Sequence, residues 1–249
     1  MFKKLILSMA IAGLSMNSVA DTSKDDIKES FQGFFGGSII SYIADAKVDN
    51  SYLILLNDGT KMIYFKDTDF AVVGDLYDLK NRRNMTNSIM ADYNKEVIAG
   101  IKDKGISYPI KEGVEKLDTV YVFTDPTCGY CRKLHNELDE YAAAGINIVY
   151  IPYSRSGENT QSHNELVDVW CSSDKKKAMN MSKSDKGSEI KGLLGYNLTE
   201  ECSEVVSSGE EYGRKLGIQG TPALYSSNGT GFPGYIPARE LKKHLQDLK

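Results

Sequence analysis

Two cysteines separated by two residues, Cys128 and Cys131, are the side chains whose type and spacing most directly imply chemistry in this 249-residue chain. A thiolate is the nucleophile of thiol–disulfide exchange, and a second thiol one helical turn along can close a disulfide with the first. The flanking residues say what must hold them. Tyr121 to Phe123 are β-favouring, and Asp125-Pro126 ends the run as a turn. After Cys131 the apolar period becomes helical, with Leu134, Leu138 and Tyr141 at i, i+4, i+7 and Gly145 as a stop. Cys128 is therefore expected where a strand ends and a helix begins, and free N–H groups and the positive end of a helix dipole favour a thiolate there. Three other uses of this spacing stand beside redox chemistry. A structural disulfide closing so short a loop gains little chain entropy. A zinc site wants four ligands, but there is no second Cys-X-X-Cys, and His135 alone does not complete a set. Haem attachment wants histidine directly after the second cysteine, where Arg132 stands.

The rest of the chain sets the context. Lys3 and Lys4, the apolar run from Leu5 to about Leu14, and Ser18-Val-Ala20 read as a cleavable secretory leader, residues 1–20, cut before Asp21. With the leader gone, the 30 basic residues fall to 28 against 34 acidic ones, a net charge of −6. That balance gives no electrostatic case for nucleic acid or an anionic membrane. Four cysteines allow three pairings in a secreted chain.

The elements follow in order. Ile27, Phe31 and Phe34 mark a short amphipathic helix from Lys24 to Phe35, stopped by Gly36-Gly37. Strands are expected at Ile39–Ile43, Tyr52–Leu56, Met62–Phe65 and Phe70–Val73, with Asp58-Gly59 as a hairpin turn. Ile89, Tyr93, Val97 and Ile101 predict a connecting helix from Thr86 to about Lys104, capped by Asn84 or Thr86 and ended by Gly105. Its stripe is expected to rest partly on a neighbouring domain and leave a stiff stalk. Ile146–Ile151 reads as a buried parallel strand, so the cysteine pair lies in a βαβ unit, the thioredoxin-like signature. Residues 155–216 form a mostly polar, helical insert. In it Trp170 is expected in the core, Met179 and Met181 as filler or surface, and Lys175-Lys-Lys177 as a solvated face. Ala223–Tyr225 is a strand followed by the Ser227-Asn-Gly229 turn. Pro237 opens a last helix whose buried face is Leu241, Leu245 and Leu248.

Phe123-Thr-Asp-Pro-Thr-Cys-Gly-Tyr-Cys-Arg-Lys-Leu-His135 resembles the active-site segment of the periplasmic DsbC-type protein-disulfide isomerases. Gly217-Ile-Gln-Gly-Thr-Pro222, Ser227-Asn-Gly-Thr230 and Pro233-Gly-Tyr235 resemble that family's C-terminal end. Gly74-Asp-Leu-Tyr-Asp78 and Asn84-Met-Thr-Asn87 echo its N-terminal domain more weakly. The resemblance implies a mixed α+β and α/β architecture. A small antiparallel dimerisation domain (21–83) is joined by a linker helix (84–110) to a thioredoxin-like catalytic domain with a helical insert (111–249).

It also implies roles. Cys128 would attack, Cys131 would resolve, Gly129 and Tyr130 would tune the pair, and Thr221 with a cis Pro222 would hold the backbone of a substrate. Cys171 and Cys202 would form a structural disulfide, although the stretch between them is longer than the family pattern and leaves the conformation of 182–200 open. Thioredoxins keep a buried acid six residues before the first cysteine, where Val122 stands here. Asp125 is expected as a turn residue and His135 as a surface histidine. The expected partners are misfolded disulfide-containing proteins, a membrane thiol reductant and a second copy of the chain, since so small an N-terminal domain is marginal alone. Packing on its own catalytic domain is the other way to cover it. No cofactor, metal or nucleic acid is called for. A reductase of oxidised single cysteines and a holdase chaperone are the competing functions.

Overall fold

A computed structural model describes residues 22–35, 40–193, 195 and 197–248. The leader at 1–20 and the Gly36-Gly37 stop lie outside the described residues, as do positions 194 and 196 of the insert. The chain divides into two compact units, residues 1–39 and 40–249. In the first, helix α1 spans Thr22–Phe35, starting two residues before the apolar spacing predicts.

The second unit begins with an antiparallel sheet of β1 (Ile40–Asp45), β2 (Ser51–Leu56), β3 (Lys61–Phe65) and β4 (Phe70–Val73), in that order. Gly59 takes a φ of +85° in the β2–β3 turn, a conformation that favours glycine, and its N–H bonds the Leu56 carbonyl at 3.0 Å. Strand β4 is an edge, and all four of its side chains are exposed. A two-residue ribbon of β5 (Tyr77–Asp78) and β6 (Arg83–Asn84) follows, which the sequence does not signal.

Helix α2 runs from Met85 to Ala99. Asn84 caps it, its side-chain oxygen accepting the Asn87 N–H at 3.0 Å. It ends five residues before the predicted end at Lys104. Beyond Gly100 the chain tightens into a 3-10 turn, Lys102–Lys104, whose last carbonyl accepts the Trp170 indole N–H at 3.0 Å. The α2 stripe serves two cores. Ile89 and Met90 pack with Leu53, Leu55 and Ile63 of the first sheet. Val97, Ile98 and Ile101 pack with Phe123, Ile151 and Leu216 of the next domain. Asn94 donates to the Gly229 carbonyl at 3.0 Å, and the Tyr93 hydroxyl to the Lys215 carbonyl at 3.1 Å. The helix is thus docked along its C-terminal half rather than standing free as a stalk.

The next elements are β7 (Ile106–Tyr108), β8 (Asp118–Thr124), α3 (Gly129–Asn136), α4 (Leu138–Ala143) and β9 (Ile146–Pro152). The insert supplies α5 (Gln161–Trp170), α6 (Lys175–Lys183), α7 (Ile190–Leu193) and α8 (Glu200–Lys215). Then come β10 (Ala223–Ser226), β11 (Gly231–Pro233) and α9 (Ala238–Asp247). The sheet order is β11-β10-β8-β9-β7, with β8 parallel to β9 and the other neighbours antiparallel. Ile106–Tyr108, placed by the sequence in the linker, is already an edge of this sheet.

Side chains alternate across the central strands. Val120, Val122, Ile148, Tyr150 and Leu224 face the α3, α4, α9 and insert side. Phe123, Val149, Ile151, Ala223 and Tyr225 face α2. Both faces are covered, which is why these strands read as nearly unbroken apolar runs. Trp170 and Met179 are buried in the first of these cores.

The single helix expected after Cys131 is two. Glu137 leaves helical geometry (φ −103°, ψ 12°), and its carboxylate accepts the Tyr235 hydroxyl at 2.5 Å. Cys171, at the end of α5, and Cys202, in the first turn of α8, form a disulfide. Closing that 31-residue separation restrains the insert by about 3–4 kcal/mol in the chain-entropy account.

Candidate active site

Strand β8 sits at the centre of the sheet and delivers the chain through Asp125-Pro126-Thr127 to Cys128, the N-cap of α3. Cys128 is 4 % exposed and Cys131 is fully buried beneath it, both as thiols. Tyr130 projects outward at 64 % exposure and stacks on Tyr235 at 6.2 Å between ring centroids. The Thr221–Pro222 bond is cis, and the Cys128 thiol donates to the Thr221 carbonyl at 3.1 Å. The structure thus brings together Cys128, Gly129, Tyr130, Cys131, Thr221 and Pro222, while Cys171 and Cys202 are joined elsewhere, in the insert.

The Cys128 thiol is pulled down to a pKa of about 5. The largest cause is a hydrogen bond from the Cys131 thiol, which stabilises the thiolate. Burial opposes it, and the Thr221 side chain, the Cys131 backbone N–H and the Arg155 charge add to it. The bond from the Cys131 thiol counts for more than the one from the helix's own first-turn N–H. Cys131 itself is pushed up, first by burial and then by the bond it gives to Cys128. One sulfur is poised to attack and the other is held protonated.

Ultraviolet absorbance of the reduced protein should show the Cys128 thiolate appearing with a midpoint near pH 5. Cys131→Ala should raise that midpoint by removing the donor, and a wild-type midpoint near the free-cysteine value of about 8.5 would sink this account. A folded pKa below the unfolded value contributes stability above the unfolded pKa and loses it as pH falls through the folded one. Reduced protein should therefore lose this contribution as pH drops from about 9 through about 5.

Asp125 is more than a turn residue. Its carboxylate is fully buried and accepts five hydrogen bonds: Thr127 N–H and hydroxyl (2.7 Å each), the Ser162 hydroxyl (2.9 Å), and Arg155 N–H (3.0 Å) and Nε (3.1 Å). Burial alone would raise its pKa, but these bonds outweigh burial and hold it below the usual value. The cluster locks the turn ahead of Cys128 and sets the Arg155 guanidinium beside the thiolate. His135 is half-buried rather than on the surface. Burial first, and then repulsion by Lys183, pull it down to about 4, so at neutral pH it gives the thiolate no charge. Its Nδ1 lies 3.3 Å from the Tyr150 hydroxyl.

A cleft of about 600 Å³ opens beside Thr221 and runs past Gly217 and Gln219 to Gly59, Lys61 and Met90. It joins the cis-proline loop to the hairpin of the first sheet. Arg155, Ser162 and Lys183 were missed by sequence reasoning, since no local pattern marks them, and Tyr235 entered only as part of a C-terminal motif. Only the buried position of Asp125 in the fold would have pointed to Arg155.

A sheet of this topology with a dithiol at the head of the helix after its central strand defines a thioredoxin-like thiol–disulfide oxidoreductase. Residues 110–249 match the thioredoxin-like domain family, and residues 18–87 match the disulfide bond isomerase protein N-terminal domain. Thiol:disulfide interchange protein DsbC of Escherichia coli (strain K12) is 30 % identical over 210 residues, covering 83 % of this chain and 81 % of its own. The DsbC of Haemophilus influenzae is 30 % identical over 98 % of both chains, and that of Dickeya dadantii 29 % identical over 99 % of this chain and 97 % of its own. The chain belongs to the DsbC family and is a protein-disulfide isomerase.

Proposed function

We propose that Cys128 is the attacking thiolate and Cys131 the resolving thiol of this isomerase, acting on misfolded disulfide-bonded proteins in the periplasm. The depressed Cys128 above a buried, protonated Cys131 carries the assignment. The Cys128 thiolate attacks one sulfur of a wrong client disulfide. A Cys128–client bond forms, and the other client sulfur leaves as a thiolate. That new client thiolate can attack elsewhere until a client thiolate displaces Cys128, which reshuffles bonds with no net redox change. In the alternative exit, Cys131 attacks the Cys128 sulfur, closes the 128–131 disulfide and leaves the client reduced. A membrane thiol reductant would then restore the dithiol. Gly129 and Tyr130 shape the loop, and Thr221 and Pro222 align an extended client segment. The 600 Å³ cleft leading away from Thr221 has room for it.

The domains are read as 21–83, a linker at 84–110 whose last strand, Ile106–Tyr108, joins the catalytic sheet, and 111–249, behind a leader at 1–20. Among the described residues no helix is long and apolar enough to cross a membrane, which accords with secretion into the periplasm once the leader is cut. A homodimer formed through the N-terminal sheet would set two such sites around one client.

Refolding of scrambled ribonuclease, run beside the aggregation of a client without cysteines, tests the assignment. The protein should restore ribonuclease activity and need its dithiol reduced to do so. Suppressed aggregation with no ribonuclease recovery would leave only the holdase function standing.

A further inference from the structure

Lys183, the last residue of α6, is 2 % exposed and lies under the redox pair. A lysine is almost never buried so completely without an ionic partner, because its charge loses hydration. Its ammonium donates to the Thr124 hydroxyl at 2.8 Å and to the Asp125 carbonyl at 3.0 Å. That same carbonyl accepts the Cys128 N–H at 3.3 Å, so the ammonium is tied to the backbone that positions the nucleophile. Two of its three donors are used, and it forms no ion pair with a carboxylate among the described residues. Burial pulls its pKa down to about 8, and the charge that Cys131 takes on when it ionises is the largest influence opposing that fall, ahead of Asp125, Cys128 and Glu165. In return, Lys183 is the first of the groups that favour ionisation of Cys131. The side chain at the position of the thioredoxin acid is Val122, fully buried, so no carboxylate serves Cys131 from there.

We propose that Lys183 is a positioning residue for the resolving cysteine: its buried ammonium, fastened to the Thr124 hydroxyl and the Asp125 carbonyl, supports the Cys131 thiolate and so sets how fast Cys131 frees Cys128 from a client. The inference rests on the assignment of Cys131 as the resolving thiol. In that step the Cys131 sulfur bonds to the Cys128 sulfur and the Cys128–client bond breaks. The client sulfur leaves as a thiolate and takes up a proton in place of the one Cys131 gave up. The dithiol is oxidised by two electrons and the client disulfide is reduced. A slow step here lengthens the time a client stays attached, which is the time available for isomerisation. The groups that face the ammonium and titrate are Cys128, Cys131 and His135 on α3, Asp125 after β8, Tyr150 on β9 and Glu165 on α5.

An aromatic disulfide that releases a coloured thiolate resolves the two attacks in a stopped-flow instrument. The first release reports Cys128 attacking the reagent, and the second reports Cys131 attacking the mixed disulfide. Lys183→Met should slow the second release about tenfold at neutral pH and raise its pH midpoint by about one unit, with the first release much less affected. Lys183→Gln, which keeps donors but no charge, should do the same. A merely structural role would leave the midpoint where it is. An unchanged second release and midpoint in whichever variant folds would overturn the proposal. Absence of any second release in wild type would instead overturn the assignment of Cys131. Should neither variant fold, nuclear magnetic resonance of the wild-type Lys183 side chain decides. Its pKa should fall when the Cys128–Cys131 disulfide closes, because the Cys128 thiolate is lost and Cys131 can no longer ionise, and an equal pKa in both redox forms would overturn the proposal.

Discussion

Cys128→Ser should bring recovery of scrambled ribonuclease down to the uncatalysed rate, a loss on the order of a thousandfold or more. A serine hydroxyl at this place is not ionised at neutral pH, whereas the cysteine is thiolate at any pH well above about 5. No other described thiol can replace it, because Cys131 is fully buried with its pKa pushed up and Cys171 and Cys202 are joined to each other. Cys131→Ser should behave differently. It leaves the attacking sulfur in place and keeps a hydroxyl beside it, so mixed disulfides with the client should form and accumulate. Isomerisation should persist in part, because client thiols can still displace Cys128, while net reduction of the client should stop. Mass analysis of acid-quenched reactions would show the trapped adduct. Recovery above background by Cys128→Ser, or no adduct with Cys131→Ser, would remove the proposed roles.

The redox pair was legible in the sequence because its logic is local. A β-favouring run, a turn and a helical period fall within twenty residues of one another, and each leaves its own pattern. The strands of the first sheet and the central strands of the second were legible for the same reason, but the edge strand Ile106–Tyr108 was not. What surrounds the pair was not, because it is assembled from far along the chain. Arg155 and Ser162 reach Asp125 from 30 and 37 positions away, and Lys183 reaches Thr124 from 59. A turn aspartate, a serine at a helix start and a lysine near a lysine-rich segment all look like solvated residues until the fold buries them. The break between α3 and α4 falls at Glu137, whose carboxylate meets Tyr235 98 positions later, and no period in either segment records that bond. The docking of α2 is similar in kind. Its spacing of four gave the buried stripe and its partial rest on a neighbouring domain, but not that Val97, Ile98 and Ile101 would be docked and leave no free stalk.

Phe70→Glu with Val72→Glu should convert the protein from dimer to monomer. Strand β4 ends the first sheet with Phe70 69 %, Val72 57 % and Val73 66 % exposed, and Tyr77 and Leu79 are exposed close behind. An apolar edge with free backbone donors and acceptors is a template for another strand, and a monomer that kept it bare would tend to aggregate. A second copy brought to this edge would satisfy the backbone and cover the side chains in one step. In a twofold interface each substitution is present twice, so four carboxylates would face one another and weaken the dimer by at least about a hundredfold. These substitutions are a cleaner test than deleting residues 21–82, because deletion would bare Ile89 and Met90, which the first sheet buries. Isomerisation needs a client to stay bound while its thiols exchange, and one thioredoxin-like face offers little area for that. The monomer should therefore still reduce small disulfides at nearly the wild-type rate, yet recover scrambled ribonuclease on the order of tenfold more slowly. Sedimentation gives the oligomeric state, and thermal unfolding guards against a collapsed sheet. A folded monomer that unscrambled ribonuclease as fast as wild type would show that one site suffices and that β4 serves some other contact.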